Sequence, residues 1–170
     1  MFVNSSTPSL VIPDLSTALI EFYDRALVLF RETGNGAGEA KVLENLGNIY
    51  NRLGQYNRAI ELHQESLAMV REAGDRKGES YALYNLGNAY DALERYQEAI
   101  EVYHRALAIA REIGHLRLQV TTLMNLAVAS AKVGDTRQTV ESLQQVLTLA
   151  PEIDDVELEQ KAREFLTQVQ

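Results

Sequence analysis

Cysteine is absent from the 170 residues, which excludes disulfides, thiolate metal sites and cysteine nucleophiles and leaves a cytoplasmic location as the default expectation. Proline occurs three times and glycine ten times, too few for a loop-rich β protein. No apolar run approaches the roughly 18 residues needed to cross a bilayer. Residues 1–15 have neither a basic start nor a long apolar stretch, so a secretory signal is not expected either. Positive charge is scarce as well: 16 Lys and Arg face 24 Asp and Glu, a net charge of −8. No stretch of the chain is basic overall, so neither nucleic acid nor a membrane is an expected partner. The acidity is spread evenly, which favours solubility over recognition of one basic ligand. What remains is an ordinary globular composition, 46% hydrophobic and 24% charged, at the length of about one domain.

The dominant feature is internal repetition. Residues 36–75 align with 76–115 without a gap, and 18 of the 40 positions are identical. Residues 116–155 continue the period more loosely, retaining Leu123, Asn125, Leu126, Glu141 and Leu147. Upstream, residues 20–34 match the second half of the unit. Within a unit the spacing is helical: Leu43, Leu46, Gly47 and Tyr50 recur at i, i+3, i+4 and i+7 on one stripe. Leu53 and Gly54 close that helix. A second stripe of Tyr56, Ala59, Ile60, His63, Leu67 and Val70 predicts another helix that ends near Gly74. Each unit is therefore a helix pair that must stack on its neighbours to cover its apolar faces.

Leu43-x-x-Leu46-Gly47-x-x-Tyr50 followed by Ala59-x-x-x-His63 resembles the tetratricopeptide repeat, with Leu for the usual Trp and His for Phe. The second unit is closer, with Leu83, Leu86, Gly87, Tyr90, Ala99, Tyr103 and Ala106. The third departs, with Ala127 for Gly, Ser130 for Tyr and Thr139 for Ala. The 40-residue length is similar to that of kinesin light chains and of many bacterial repeat proteins, and implies second helices extended to Glu72 and Glu112. The resemblance implies an all-α fold, a right-handed α-solenoid of antiparallel helix pairs with about eight helices. The expected divisions are an N-terminal leader at 1–13, an orphan second helix at 14–35, repeats at 36–75, 76–115 and 116–155, and a capping helix at 156–170. In the leader, Phe2, Val3, Leu10, Val11 and Ile12 either cover the orphan helix or leave an apolar face open to a second copy. Pro151 leaves the register of the last helix open.

Little here points to catalysis. His63, His104 and His115 do not stand at i, i+3 or i, i+4, so no metal pair forms on a helix face. His63 takes an aromatic core position; His104 and His115 read as solvated. Glu61, Glu65, Glu98 and Glu101 fall where surface pairs with Arg58 and Arg105 are expected. Asp154 and Asp155 suit a helix start. No cofactor and no metal are expected.

The informative residues are asparagines, which are poor helix-interior residues. Asn45, Asn85 and Asn125 recur every 40 residues, and Asn48 and Asn88 form a second, partial row. Lys41, Asn45, Asn48 and Arg52 lie about half a turn from the Leu43–Tyr50 stripe. Two readings stay open. An amide carries both a donor and an acceptor, so a ladder of them can hold an extended peptide by its backbone; the resemblance implies that the first helix of each repeat lines a concave groove that does this. Alternatively, each Asn ties adjacent repeats together or faces water. Lys41, Arg52 and Lys132, offset by Glu44 and Asp91, make this surface near neutral or slightly basic, suited to a peptide with an acidic or free-carboxylate end. Tyr81, Tyr84 and Met124 add apolar contacts. The expected function is a non-enzymatic adaptor that binds a protein or peptide partner. Two alternatives accompany it: a self-assembling scaffold that forms a homo-oligomer through the orphan N-terminal helix, and a fragment of a larger peptide-sensing regulator.

Overall fold

The computed structural model describes residues 15–169. The expected leader at 1–13, with its apolar residues, lies outside the described residues. Eight α-helices follow in order: α1 Leu15–Thr33, α2 Gly36–Arg52, α3 Tyr56–Glu72, α4 Arg76–Ala92, α5 Tyr96–Glu112, α6 Leu116–Lys132, α7 Thr136–Leu149 and α8 Val156–Val169, with a short 3-10 turn at Ala150–Ile153. There is no strand among the described residues. The second helices of the repeats do reach Glu72 and Glu112.

Local chemistry sets these boundaries. The first helix of each pair opens on a side chain that accepts a hydrogen bond from the backbone N–H three residues on: Asn35 from Gly38 (3.0 Å), Asp75 from Gly78 (2.8 Å), His115 from Leu118 (3.3 Å) and Asp155 from Leu158 (3.1 Å). These caps stand 40 residues apart and satisfy donors that a helix start otherwise leaves open. Helices close on residues with positive φ. Gly54 (φ 74°) and Gly134 (φ 79°) end α2 and α6, but the equivalent position after α4 is Glu94 (φ 59°), where a Cβ makes the left-handed region costly.

Each helix packs on the one before and the one after it. In addition α2 touches α4, and α4 touches α6. That places α2, α4 and α6 in the inner layer of a curved stack, with α3, α5 and α7 outside. The pairs lock through a small residue facing a ring: a methyl group at Gly47 would come within 2.5 Å of the His63 imidazole, and one at Gly87 would overlap the Tyr103 ring. In the third repeat Ala127 takes the place of the glycine, and Leu143, fully buried, takes the place of the ring. The main core runs from α2 to α8 and includes Leu83, Leu86, Leu107, Leu123, Leu126 and Val146. A smaller cluster joins α1 to α2 and α3, where Tyr23, Leu27 and Phe30 pack against Val42, Leu43, Leu46 and Leu62.

Candidate functional site

The inner layer brings the expected side chains into three half-buried rows: Glu44, Asn45 and Asn48 on α2; Tyr84, Asn85 and Asn88 on α4; Met124 and Asn125 on α6. Lys41, Arg52 and Lys132 are exposed along its edges. The two rows of amides do not behave alike. Asn88 Oδ1 accepts hydrogen bonds from Tyr103 Oη (2.8 Å) and from Asn125 Nδ2 (2.8 Å). Asn125 Nδ2 also donates to Tyr84 Oη at 3.3 Å. These four side chains join α4, α5 and α6, and burial pushes the Tyr103 hydroxyl's pKa up, helped by the nearby Asp91 and Tyr84. Asn88 and Asn125 therefore tie neighbouring repeats together.

Asn45, Asn48 and Asn85 make no side-chain hydrogen bond among the described residues. For Asn48 the difference traces to one outer-layer residue. Where Tyr103 offers Asn88 a hydroxyl, the preceding repeat has His63, buried against Gly47, and neither of its ring nitrogens has a hydrogen-bond partner among the described residues. Asn48 is thus left without the contact that holds Asn88. Desolvation pushes the His63 pKa down to about 4.

Lys41, Glu44 and Tyr81 meet at a cleft of 540 Å³ between α2, the end of α3 and the start of α4, floored by Ser66, Met69 and Val70. Small residues open it: Gly36, Ala37, Ala40 and Ala73 stand where the next repeat has Arg76, Lys77, Ser80 and Ile113. At its edge Lys41 Nζ pairs with Glu44 at 2.9 Å. Tyr81 Oη lies 3.2 Å from His115 Nε2, with the two rings edge to face. His115 is therefore half-buried, holding the start of α6 with one nitrogen and Tyr81 with the other, rather than solvated as its turn position suggested. Asp91 sits behind the groove with one buried oxygen unpartnered; burial raises its pKa, and the positive charge of Lys132 opposes that rise.

The surface carboxylates pair as their spacing suggested in part. Arg58 meets Glu61 at 2.6 Å, while Glu65 reaches Arg31 of α1 at 2.7 Å. Among the described residues no group of three or more His, Asp or Glu converges as a metal site, and no helix is long and apolar enough to cross a membrane. A second cleft, of 450 Å³, lies where α5 meets the α6–α7 turn and includes His104 and Ser130. In the sequence, Ser130 showed only as a departure from Tyr.

A family model described as tetratricopeptide repeat matches residues 17–72 and 78–152. No curated protein matches the sequence at a significant level. Among solved structures, the apo form of RapI shares 16% identity at a TM-score of 0.84, over 92% of this chain and 57% of that one. A signal-transduction ATPase with numerous domains from Pyrococcus horikoshii, carrying a tetratricopeptide repeat sensor, shares 22% identity at 0.84, over 92% of this chain and 24% of its own. A putative kinesin light chain from Podosopora anserina, with nearly identical repeats, shares 20% identity at 0.70, over 91% of this chain and 85% of that one. The chain thus spans about half or less of the first two neighbours, and at these identities the likeness is one of fold.

Proposed function

The chain belongs to the tetratricopeptide repeat family, and on that premise we propose that it is a non-enzymatic interaction module whose inner face holds an extended peptide by its backbone. Members of the family are in general interaction modules that bind protein or peptide partners. The observation that carries the finer reading is a set of three inner-face amides, Asn45, Asn48 and Asn85, without side-chain hydrogen bonds among the described residues and beside the 540 Å³ cleft at Lys41, Glu44 and Tyr81. A free amide pairs with a peptide group as another peptide does, and a partly buried one gains by doing so. Asn88 and Asn125 serve as supports, since Asn88 Oδ1 and Asn125 Nδ2 are already engaged with each other and with Tyr103 and Tyr84. Arg52 and Lys132 at the edges suit a peptide with an acidic or free-carboxylate end. Tyr84 and Met124 supply adaptable contact area. Binding of this kind needs no cofactor, and a cytoplasmic setting suits it.

Titration of the 15N-labelled protein with a degenerate peptide library ending in acidic residues tests the reading. The side-chain amide signals of Asn45, Asn48 and Asn85 should move. Movement confined to other residues, or none at all, defeats it.

A second reading rests on α1. Leu15, Phe22 and Leu29, spaced by sevens on one face, are 77%, 64% and 59% exposed. Such a stripe favours self-association through the first helix. Light scattering across a concentration series should then show a mass that rises and that Phe22→Glu returns to the monomer value; a constant monomer mass removes this reading. A sensing role within a longer protein would use the same groove.

A further inference from the structure

The two ends of the stack are finished differently. By the 40-residue register α1 is a second helix, and the face by which α3 packs on its own first helix has no such cover on α1 among the described residues. Phe22 stands where α3 has Leu62. Leu62 clusters with Val42, Leu43 and Leu46 of α2 and is 2% exposed, whereas Phe22 is 64% exposed. By the same register α8 is a first helix. The positions that would receive a second helix, Ala40, Leu43 and Gly47 in α2, are Gln160, Arg163 and Thr167 in α8, all exposed. Polar side chains therefore close the α8 end, while the α1 end presents a stripe of Leu15, Leu19, Phe22 and Leu29 to solvent. At about 100° per residue, Glu21 and Arg25 border the stripe on one flank, and Leu19 and Ala26 on the other. The ion pairs of α1 among the described residues are both made by Arg31, to Glu39 and Glu65, which leaves Glu21 and Arg25 uncommitted.

We propose that a second copy of this chain covers the stripe: α1 pairs with α1 of the other copy, antiparallel about a two-fold axis at Phe22, and the assembly stops at a dimer. This rests on the self-association reading above and adds its direction, its register and its closure. The stripe is symmetric about Phe22, with Leu15 and Leu29 seven positions to either side and Ala18 and Ala26 four. Antiparallel pairing about that centre sets Leu15 on Leu29 of the other copy and Phe22 on Phe22, and the small Ala18 and Ala26 leave room for the rings. Like flanks then share a side, so Glu21 meets Arg25 of the other copy twice, about 3 Å apart along the axis. Parallel pairing instead turns this charged flank to Leu19 and Ala26 of the other copy and leaves both charges unmatched. Exposed ion pairs add little affinity, but they select direction. Antiparallel is also how a first helix lies on its second, so the other copy takes the place that a first helix has in the repeats. Since α8 offers α1 only polar side chains, copies do not add head to tail.

Because the chain has no cysteine, single introduced thiols report the geometry without interference. Under oxidation, at concentrations where light scattering gives twice the monomer mass, Phe22→Cys should cross-link to itself. Leu15→Cys should not, since its two copies lie about 21 Å apart along the axis, but a mixture of Leu15→Cys with Leu29→Cys should give the crossed product. All three positions are exposed, so the variants keep the fold, and the mixture carries the test if loss of the Phe22 ring dissolves the dimer. Glu21→Arg and Arg25→Glu should each weaken dimerisation several-fold, and an equimolar mixture of the two should restore the parental level. A dimer in which Leu15→Cys links to itself overturns the antiparallel register while self-association stands. A mass that climbs past two copies without a plateau overturns the closure, again with self-association intact. A constant monomer mass overturns both readings and leaves the stripe to residues 1–14 or to another protein.

Discussion

A single pair of equivalent residues, His63 and Tyr103, decides whether the amide at Asn48 or Asn88 meets a hydroxyl from the outer layer. Both fill the socket left by a glycine, and both are buried. Tyr103 carries a hydroxyl that reaches Asn88 at 2.8 Å, whereas both nitrogens of His63 remain unpartnered. The imidazole also makes stability depend on pH. Its pKa is about 4 in the fold against an ordinary 6.5, so both states are neutral above pH 6.5. Between there and pH 4 the unfolded chain takes up a proton that the folded chain refuses, and stability falls as the pH drops. The full loss is about 3 kcal/mol at 1.36 kcal/mol per pH unit. Chemical denaturation of the parent chain and of His63→Phe at pH 7, 5.5 and 4 should give a difference that grows toward acid in favour of the variant. A difference that does not vary with pH would contradict the buried, neutral imidazole.

At the level of helices, much was legible in advance because the local signals repeat. The 40-residue register set repeat units beginning at 36, 76 and 116; in the structure α2, α4 and α6 start at those residues, and the cap residues stand at 35, 75 and 115. The register of α8 was not legible, since Pro151 interrupts the pattern. In the structure the 3-10 turn Ala150–Ile153 takes up the proline, Asp154 turns the chain at φ 53°, and α8 starts at 156, in step with the rest. Along α8, Arg163 and Thr167 stand where α2 has Leu43 and Gly47, so α8 offers no socket for a ring. Asp75 shows what one cap contributes: its carboxylate accepts from Gly78 N at 2.8 Å. Asp75→Ala should lower stability by about 1 kcal/mol, seen as a shifted urea midpoint with an unchanged slope. The hydrogen bonding of the amides was hidden at this scale. Asn48 and Asn88 occupy identical places in their helices, and their fates diverge through a partner on another helix, 15 residues away in sequence.

For the molecule as a whole, stacking pairs puts first helices inside and second helices outside, and this curvature gathers side chains from α2, α4 and α6 onto one face. The groove that results has two unlike halves. Toward α2 and the start of α4 it carries unengaged amides and the 540 Å³ cleft; toward α6 its amides are bound into the Tyr84–Asn88–Tyr103–Asn125 network. On the proposed reading, recognition belongs to the first half and rigidity to the second. The two roles separate by mutation. Removing Asn125 takes two hydrogen bonds from a partly buried network, which costs about 1–2 kcal/mol, while removing amides that make no side-chain hydrogen bond among the described residues leaves stability nearly unchanged.

The decisive measurement is a paired comparison of Asn45→Ala/Asn48→Ala/Asn85→Ala with Asn125→Ala, each followed by thermal unfolding and by titration with the peptide pool that binds the parent chain. The triple variant should keep the parent melting temperature and lose binding at least tenfold, while the single variant melts several degrees lower and still binds when folded. A triple variant that binds as tightly as the parent would contradict the assignment of recognition to these amides.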